Sequence, residues 1–181
     1  MKPKKNYWIQ TFSGKQFFPF DVTPDQIDII DIAHALSNIC RFNGHCTEFY
    51  SVAEHSYRAS VLIGDSTVSE KPLWGLLHDA AEAYLCDLPR PVKMCILEYK
   101  QIEEEILNAI IIKFGLTLPM PKEVKEIDDI LLATERRDIM NPCKEEWTLA
   151  AKPMKQIIIP YSQKEAKRLF LERFNYLNLV C

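Results

Sequence analysis

One stretch, residues 76–93, restricts the fold more than any other part of this chain. It begins with leucine and alanine, as an apolar helix would, yet it also carries a histidine, three carboxylates and a lysine before a Pro-x-Pro turn. Burying so many ionisable groups is costly unless they are paired or bind a metal. His78 and Asp79, flanked by leucine and alanine, are therefore where we look for chemistry first.

Length and charge indicate one ordinary globular domain. The chain has 181 residues, a 48% apolar share and a 26% charged share, enough for a complete hydrophobic core. We therefore expect a single domain over residues 1–181. The net charge of −3 offers no basic footprint for a nucleic-acid polymer, although a small anion remains compatible with it.

Targeting signals and cysteine usage predict a cytoplasmic protein. No apolar segment approaches the roughly 20 residues that a membrane helix needs, and no apolar signal core follows the basic residues 2–5. We thus expect no membrane partner. The six cysteines form no C-x-x-C pair and no regular framework, which we interpret as reduced, mostly buried thiols.

Apolar periodicity predicts an all-α fold of about six helices with a small N-terminal β-hairpin. The hairpin covers residues 7–18 and turns at Ser13–Gly14, a favourable turn pair. Ser51 and Glu54, like Ser162 and Glu165, have the spacing of a capping box at a helix start. The expected helices cover residues 25–41, 51–64, 69–88, 92–114, 122–140 and 162–177.

A set of metal-ligating residue types is distributed over three of these helices. His78 and Glu82 are four residues apart and share a helix face, with Asp79 beside His78. His55 and Asp128 lie within two other helices, and helices packed side by side can direct such side chains into one interior site. Two imidazoles with two carboxylates suit a divalent metal ion. Each residue alone would be unremarkable; the combination carries the hypothesis.

The order of these residues resembles the HD-domain phosphohydrolase superfamily. Longer strings are similar to bacterial 5′-deoxynucleotidases and to small phage-type HD enzymes that include dATP triphosphohydrolases. The resemblance runs from the hairpin to residues 133–138. The strings that carry it are Arg41–His45, Tyr50–Ser56, Leu77–Tyr84 and Asp87–Lys93.

The resemblance implies an HD-domain helical fold with one divalent metal ion, which could be Co, Mn, Zn or Mg. His55, His78, Asp79 and Asp128 would be the metal ligands, with Asp128 preferred over Asp129 on family spacing. Glu82 would position or deprotonate the attacking water. Glu82 and Asp79 are accordingly the expected catalytic residues.

Basic residues around this set would bind the phosphate groups of a substrate. By resemblance, Arg41 and Lys93 would hold phosphate, and Lys125 is a weaker candidate. His45 follows a glycine in a loop and is a candidate for a phosphate contact or for support of the residues around the metal. These cations would neutralise charge on the transferring group, where most phosphoryl-transfer catalysis lies.

Two residues would recognise the nucleoside part of a substrate. Asp87 resembles the aspartate that reads the deoxyribose 3′-hydroxyl. Phe42 occupies the position of a family tryptophan near the sugar and base; it keeps a flat apolar face but lacks an indole donor. Other features have ordinary interpretations: His34 as packing, Glu103–Glu105 as a solvated face, and the three tryptophans (Trp8, Trp74 and Trp147) as core anchors.

The expected function is hydrolysis of a small-molecule deoxynucleotide. A dATP triphosphohydrolase would direct metal-bound hydroxide to the α-phosphorus and release deoxynucleoside and triphosphate. A 5′-deoxynucleotidase acting on monophosphates stays equally open, as does a non-catalytic helical sensor of metal or nucleotide. The resemblance further implies a homo-oligomer in bacterial or phage-infected host cytosol.

Overall fold

The described chain begins with a β-hairpin. The computed structural model describes residues 7–65, 69–145 and 147–178. Strands β1 (Ile9–Gln10) and β2 (Gln16–Phe17) pair in an antiparallel register, with Ile9 opposite Phe17 and Gln10 opposite Gln16. Gly14 adopts a φ of 82°, a conformation that favours glycine. The predicted hairpin and its Ser13–Gly14 turn are confirmed.

The hairpin is fixed to the helices by a buried carboxylate and an aromatic pair. Asp31 accepts hydrogen bonds from the backbone N–H of Ser13 (2.6 Å) and from its hydroxyl (2.8 Å). Phe17 is fully buried and stacks on Tyr84, with 4.0 Å between ring centroids. The hairpin is therefore part of the domain's packing.

Helices make up most of the remaining described structure, so the predicted all-α fold with a small N-terminal hairpin is confirmed. Short 3₁₀ turns lie at Pro24–Gln26 and Arg41–Gly44. The α-helices are α1 (Ile29–Asn38), α2 (Val52–Ile63), α3 (Lys71–Leu77), α4 (Glu82–Leu85), α5 (Arg90–Lys93), α6 (Leu97–Phe114), α7 (Lys122–Asp138) and α8 (Gln163–Asn178).

The first predicted helix is shorter than expected. Residues 25–41 were predicted as one helix, but Ile27 is extended (φ −83°, ψ 129°) and α1 begins only at Ile29. The Asp28 carboxylate caps α1 by accepting the backbone N–H of Ile30 at 2.9 Å. The helix start therefore lies at this aspartate rather than at residue 25.

The predicted helix 92–114 is also divided, into α5 and α6. Ile96 (φ −116°, ψ 89°) leaves the helical conformation between them. In one continuous helix, residues ten apart are separated by about 15 Å. Lys93 Nζ instead lies 2.5 Å from Glu103 Oε1, a contact that the break makes possible.

The helix predicted to carry His78 and Asp79 tightens at these residues. After α3 ends at Leu77, the N–H of Ala80 donates to the Leu77 carbonyl and the N–H of Glu82 donates to the Asp79 carbonyl, each at 3.0 Å. These i to i+3 bonds replace the α-helical pattern before α4 begins. His78 and Asp79 thus lie in a tight turn between two helices.

Helix α2 runs through the interior, against α3, α7 and α8. Gly75 lets α3 approach α2 closely: a Cβ there would lie 2.5 Å from Ile63 Cδ1 and 3.1 Å from Ser60 Cα. Trp74 is fully buried and donates its indole N–H to the Thr117 carbonyl at 3.1 Å. This packing brings α2 and the turn after α3 together.

Two other expectations concern membranes and cysteines. No helix in the described ranges is both long and apolar enough to cross a bilayer. The cysteines described are free, as expected, but three of them are exposed rather than buried because they lie in connections at the surface; Cys181 lies outside the described residues. The exposed thiols are Cys86, Cys95 and Cys143.

Candidate metal centre

His55 presents one ring nitrogen to the interior and is held by the other. It lies in α2, which begins where Ser51 Oγ accepts the backbone N–H of Glu54 at 3.1 Å, one half of the predicted capping box; the Glu54 carboxylate instead accepts from Arg58 and from the Tyr161 N–H. The side chain is fully buried. Its Nδ1 lies 2.6 Å from Glu135 Oε1 and donates to that carboxylate. Such a partner fixes the ring and leaves Nε2 available as a ligand atom.

His78 is oriented in the same way by the backbone. Its Nδ1 donates to the Gly75 carbonyl at 2.8 Å, so Nε2 is again the free nitrogen. Among the described residues, both Nε2 atoms are buried without a hydrogen-bond partner. The two ring centroids are 5.3 Å apart. Two orphaned imidazole nitrogens so close together fit a shared metal ion.

Two carboxylates complete the arrangement. Asp128 Oδ1 lies 3.4 Å from His55 Nε2, and ligand atoms of His55, His78 and Asp128 all lie within 4.8 Å of one another. Asp79 Oδ2 lies 3.3 Å from His78 Nε2 and 3.7 Å from His55 Nε2. Adjacent ligands on an ion with bonds near 2.1 Å are about 3 Å apart. The structure brings the predicted ligand residues together, and the cluster could hold a metal.

The charged groups of this cluster shift one another's pKa values. Burial opposes ionisation of Asp128, but its contact with His55 and the nearby His78 lower its pKa overall. Burial and Arg41 lower the pKa of His55, whereas the carboxylates of Glu135 and Asp128 raise it more, to about 9. Metal binding requires a neutral imidazole, so a bound cation would compete with a proton at this ring.

Glu135 is the principal residue that the sequence did not reveal. It is fully buried on α7, and its Oε2 accepts from Arg41 Nε at 3.2 Å. Burial raises the pKa of Glu135, but Arg41 and His55 lower it to about 2, so it is ionised. The available signal was its spacing: Asp128 and Glu135 are seven residues apart, two turns along one helix face.

Arg41 connects Glu135 to the metal cluster. Its Nη2 lies 3.1 Å from Glu135 Oε2, and its Nη1 lies 3.6 Å from Asp79 Oδ2. The side chain is buried, and carboxylates including Asp87 outweigh that burial and raise its pKa. The guanidinium is thus held beside the cluster, where its predicted phosphate contact requires it.

Glu82 is a buried acid next to the cluster. Its side chain has no described hydrogen-bond partner at Oε2, and burial together with Asp79 and Asp87 raises its pKa well above the ordinary value. Lys93 Nζ lies 3.9 Å from Glu82 Oε1 and also binds Glu103. The expectation that Glu103 belongs to a solvated face is therefore wrong, because the break before α6 turns it toward Lys93.

The remaining predicted contacts lie at the margin of the cluster. Lys125 Nζ donates to Asp128 Oδ2 at 3.0 Å and also pairs with Asp129. Asp87 is half-buried; burial raises its pKa, and Arg41 opposes that rise. His45 is exposed, and no described contact joins its imidazole to the cluster. The structure therefore places Lys125 and Asp87 near the candidate centre but not His45.

A separate surface cavity of about 310 Å³ lies between the hairpin and α1. His34 and Phe12 stack in its wall, with 3.7 Å between ring centroids. The residues that line it include none of the predicted site residues. This cavity is not the candidate centre, and His34 packs as expected.

Comparison with known proteins identifies the family. No family model matches the chain. The uncharacterized protein YfdR of Escherichia coli K12 is 43% identical over 174 residues, which cover 94% of this chain and 96% of YfdR. This chain belongs to the YfdR family. The uncharacterized protein RCAP_rcc00048 of Rhodobacter capsulatus is 33% identical over 172 residues, 92% of this chain and 80% of that protein.

In this member of the YfdR family, an aromatic pair lies beside Arg41. Phe42 packs under the guanidinium, with Arg41 Cζ 5.3 Å from the ring centroid, and lies 6.1 Å from Trp147, centroid to centroid. Trp147 is 41% exposed, and Trp8 is 43% exposed. The expectation of core anchors is thus correct only for Trp74, because the other two lie in surface segments.

Proposed function

We propose that this protein is a metal-dependent phosphohydrolase of the HD-domain type, acting on deoxynucleotides and foremost on dATP. The observation that carries the proposal is the convergence of two buried, unpartnered imidazole nitrogens, on His55 and His78, with the carboxylates of Asp79 and Asp128. A purely structural group of polar residues would not require the buried acid Glu82 or the cations Arg41 and Lys93 that lie beside these four residues.

The ligand set suits a divalent ion in six-coordinate geometry, such as Mn, Co or Mg, or Zn with fewer ligands. His55, His78, Asp79 and Asp128 would hold it. When bound, such an ion lowers the pKa of water and polarises a phosphoryl oxygen. Glu135 and the Gly75 carbonyl orient the two imidazoles for this role.

Residues of the chain supply the remaining requirements of phosphoryl transfer. Arg41 Nη1 and Lys93 Nζ place positive charge beside Asp79 and Glu82, where it would neutralise the oxygens of the transferring group. Glu82 has a high proton affinity because it is buried among carboxylates. In the proposed reaction its carboxylate takes the proton of the attacking water and returns it to the leaving oxygen.

The test is product analysis on purified protein with dATP, the other dNTPs and dAMP, each with Mn, Co, Mg or Zn. Triphosphate and deoxyadenosine from dATP are the expected products. Orthophosphate from dAMP, without triphosphate from any dNTP, would replace this proposal with a 5′-deoxynucleotidase. Metal binding with no turnover of any phosphoester would leave a non-catalytic sensor.

A further inference from the structure

The aromatic pair Phe42–Trp147 contacts residues whose chain neighbours lie beside the metal cluster. Arg41 lies beside the cluster, with Nη1 3.6 Å from Asp79 Oδ2, and its neighbour Phe42 belongs to the pair. On α7, Glu135 holds His55, and its neighbour Arg136 lies over the Trp147 ring with Cζ 5.6 Å from the centroid. In each of two dipeptides, Arg41–Phe42 and Glu135–Arg136, one residue therefore contacts the cluster and the other belongs to or contacts the aromatic pair.

The backbone at Phe42 has an unusual conformation. Phe42 (φ 54°) and Asn43 (φ 56°) both adopt left-handed conformations, which cost non-glycine residues energy. The turn is closed by the N–H of His45 donating to the Phe42 carbonyl at 3.0 Å. Strain of this kind persists where the surroundings require it, and here the Phe42 ring lies close to both the Arg41 guanidinium and the Trp147 ring.

Trp147 offers a flat, accessible surface at the outer end of this line. Its side chain is 41% exposed although it contacts two neighbours. Arg136 makes no ion pair with any carboxylate in the described part of the chain, so its cation–π contact with the indole is its evident restraint. An exposed indole that is linked through Phe42 to the buried Arg41 guanidinium suits a ligand with an anionic end and an aromatic end.

We propose that Trp147 forms the outer wall of a nucleobase subsite, with Phe42 between it and the metal cluster and Arg136 as its positioning residue. The choice of a nucleotide as ligand rests on the proposed function. The base stacks on the indole, the sugar lies against Phe42, and the phosphates reach Arg41. Stacking of this kind tolerates any base because every base has a π face.

Tryptophan fluorescence tests the subsite by binding alone. The Mg-loaded Glu82→Gln protein, chosen for slow turnover, is titrated with dATP, and saturable quenching is expected. Trp8→Phe is the control: it removes an equally exposed indole on the hairpin side and should leave the quenching unchanged. The quenching disappears with Trp147→Phe. Quenching that survives Trp147→Phe, or no saturable quenching at all, overturns the proposal.

Steady-state kinetics separate base recognition from phosphate recognition. Trp147→Ala should raise KM for dATP by about 10-fold while kcat stays within about twofold, and Trp147→Phe should restore most of the loss. The inhibition constant of tripolyphosphate, which has no base, should not change. Equal weakening of dATP and tripolyphosphate overturns the subsite.

Arg136→Gln tests the positioning role in the same assay. It should reproduce part of the rise in KM for dATP, and it should change the emission maximum of Trp147 in the ligand-free protein. An unchanged emission spectrum removes Arg136 from the proposal. Failure of the two ideas is distinguishable: quenching without any turnover keeps the subsite and rejects the phosphohydrolase, whereas turnover without quenching does the reverse.

Discussion

The imidazole of His55 and the carboxylate of Glu135 form a fully buried hydrogen bond, with 2.6 Å between Nδ1 and Oε1. The bond determines which nitrogen of His55 faces the cluster. Arg41 compensates the charge of Glu135 on its other oxygen. Orientation of one ligand and placement of one cation thus depend on a single carboxylate.

Replacing that carboxylate should weaken metal binding. Glu135→Gln keeps the shape but removes the charge that polarises His55, and loss of such a partner typically lowers metal affinity about 10- to 100-fold. Titration with Co or Mn by calorimetry measures the change. Glu126→Gln, at an exposed position of the same helix, is the matched control and should bind as wild type does. Equal affinities for both variants would contradict the orienting role.

Adjacent aspartates of α7 should behave differently. Lys125 pairs with both carboxylates, but Asp128 also faces His55. Metal bound only by the native state at 100 times its dissociation constant should stabilise the fold by about 2.7 kcal/mol. Thermal unfolding with metal and with chelator should show this gain for wild type and Asp129→Asn but not for Asp128→Asn. A gain retained in Asp128→Asn would remove that residue from the ligand set.

Glu82 should separate binding from turnover. In the proposed reaction Glu82 transfers a proton and does not bind the metal. Glu82→Gln should therefore leave metal affinity within about threefold yet lower kcat by about 100-fold or more. Glu104→Gln on exposed α6 surface is the control. If Glu82→Gln lost metal and activity in parallel, the residue would belong with the ligands instead.

Gly75 should be required for packing. An added methyl meets Ile63 Cδ1 at 2.5 Å and the α2 backbone at 3.1 Å, so Gly75→Ala should destabilise the fold by about 1–3 kcal/mol. Denaturant unfolding gives the free energy of unfolding. Ile63→Val removes the nearest atom, so the double variant should lose less than the sum of the two single losses. If the losses of the two single variants simply add, the contact between the added methyl and Ile63 is not the source of the destabilisation.

The sequence predicted the elements that local chemistry determines. Ser51 capped α2 as its capping box indicated, and Gly14 formed the expected turn. It did not show where helices divide. The break before α6 brings Lys93 to Glu103, a contact between two helices that the apolar periodicity of 92–114 does not indicate.

In the candidate site, too, the residues marked by local type and spacing were predictable and those defined by distant contacts were not. His55, His78, Asp79 and Asp128 could be selected from residue type and spacing, and the structure brings them together. Glu135 escaped because a glutamate among alanine and threonine on a helix looks like any surface acid. Its buried charge is compensated by Arg41, a partner 94 residues away.

Such separations have a consequence for how the centre forms. His55 and Glu135 are 80 residues apart, and the hydrogen bond between them closes a loop that includes α3 to α6. Closing long loops costs entropy that local helices do not pay. A partly folded chain would therefore already contain helices while still lacking the centre. If the cluster binds a metal, its uptake would report completed assembly, because it would require the middle and later segments to have docked.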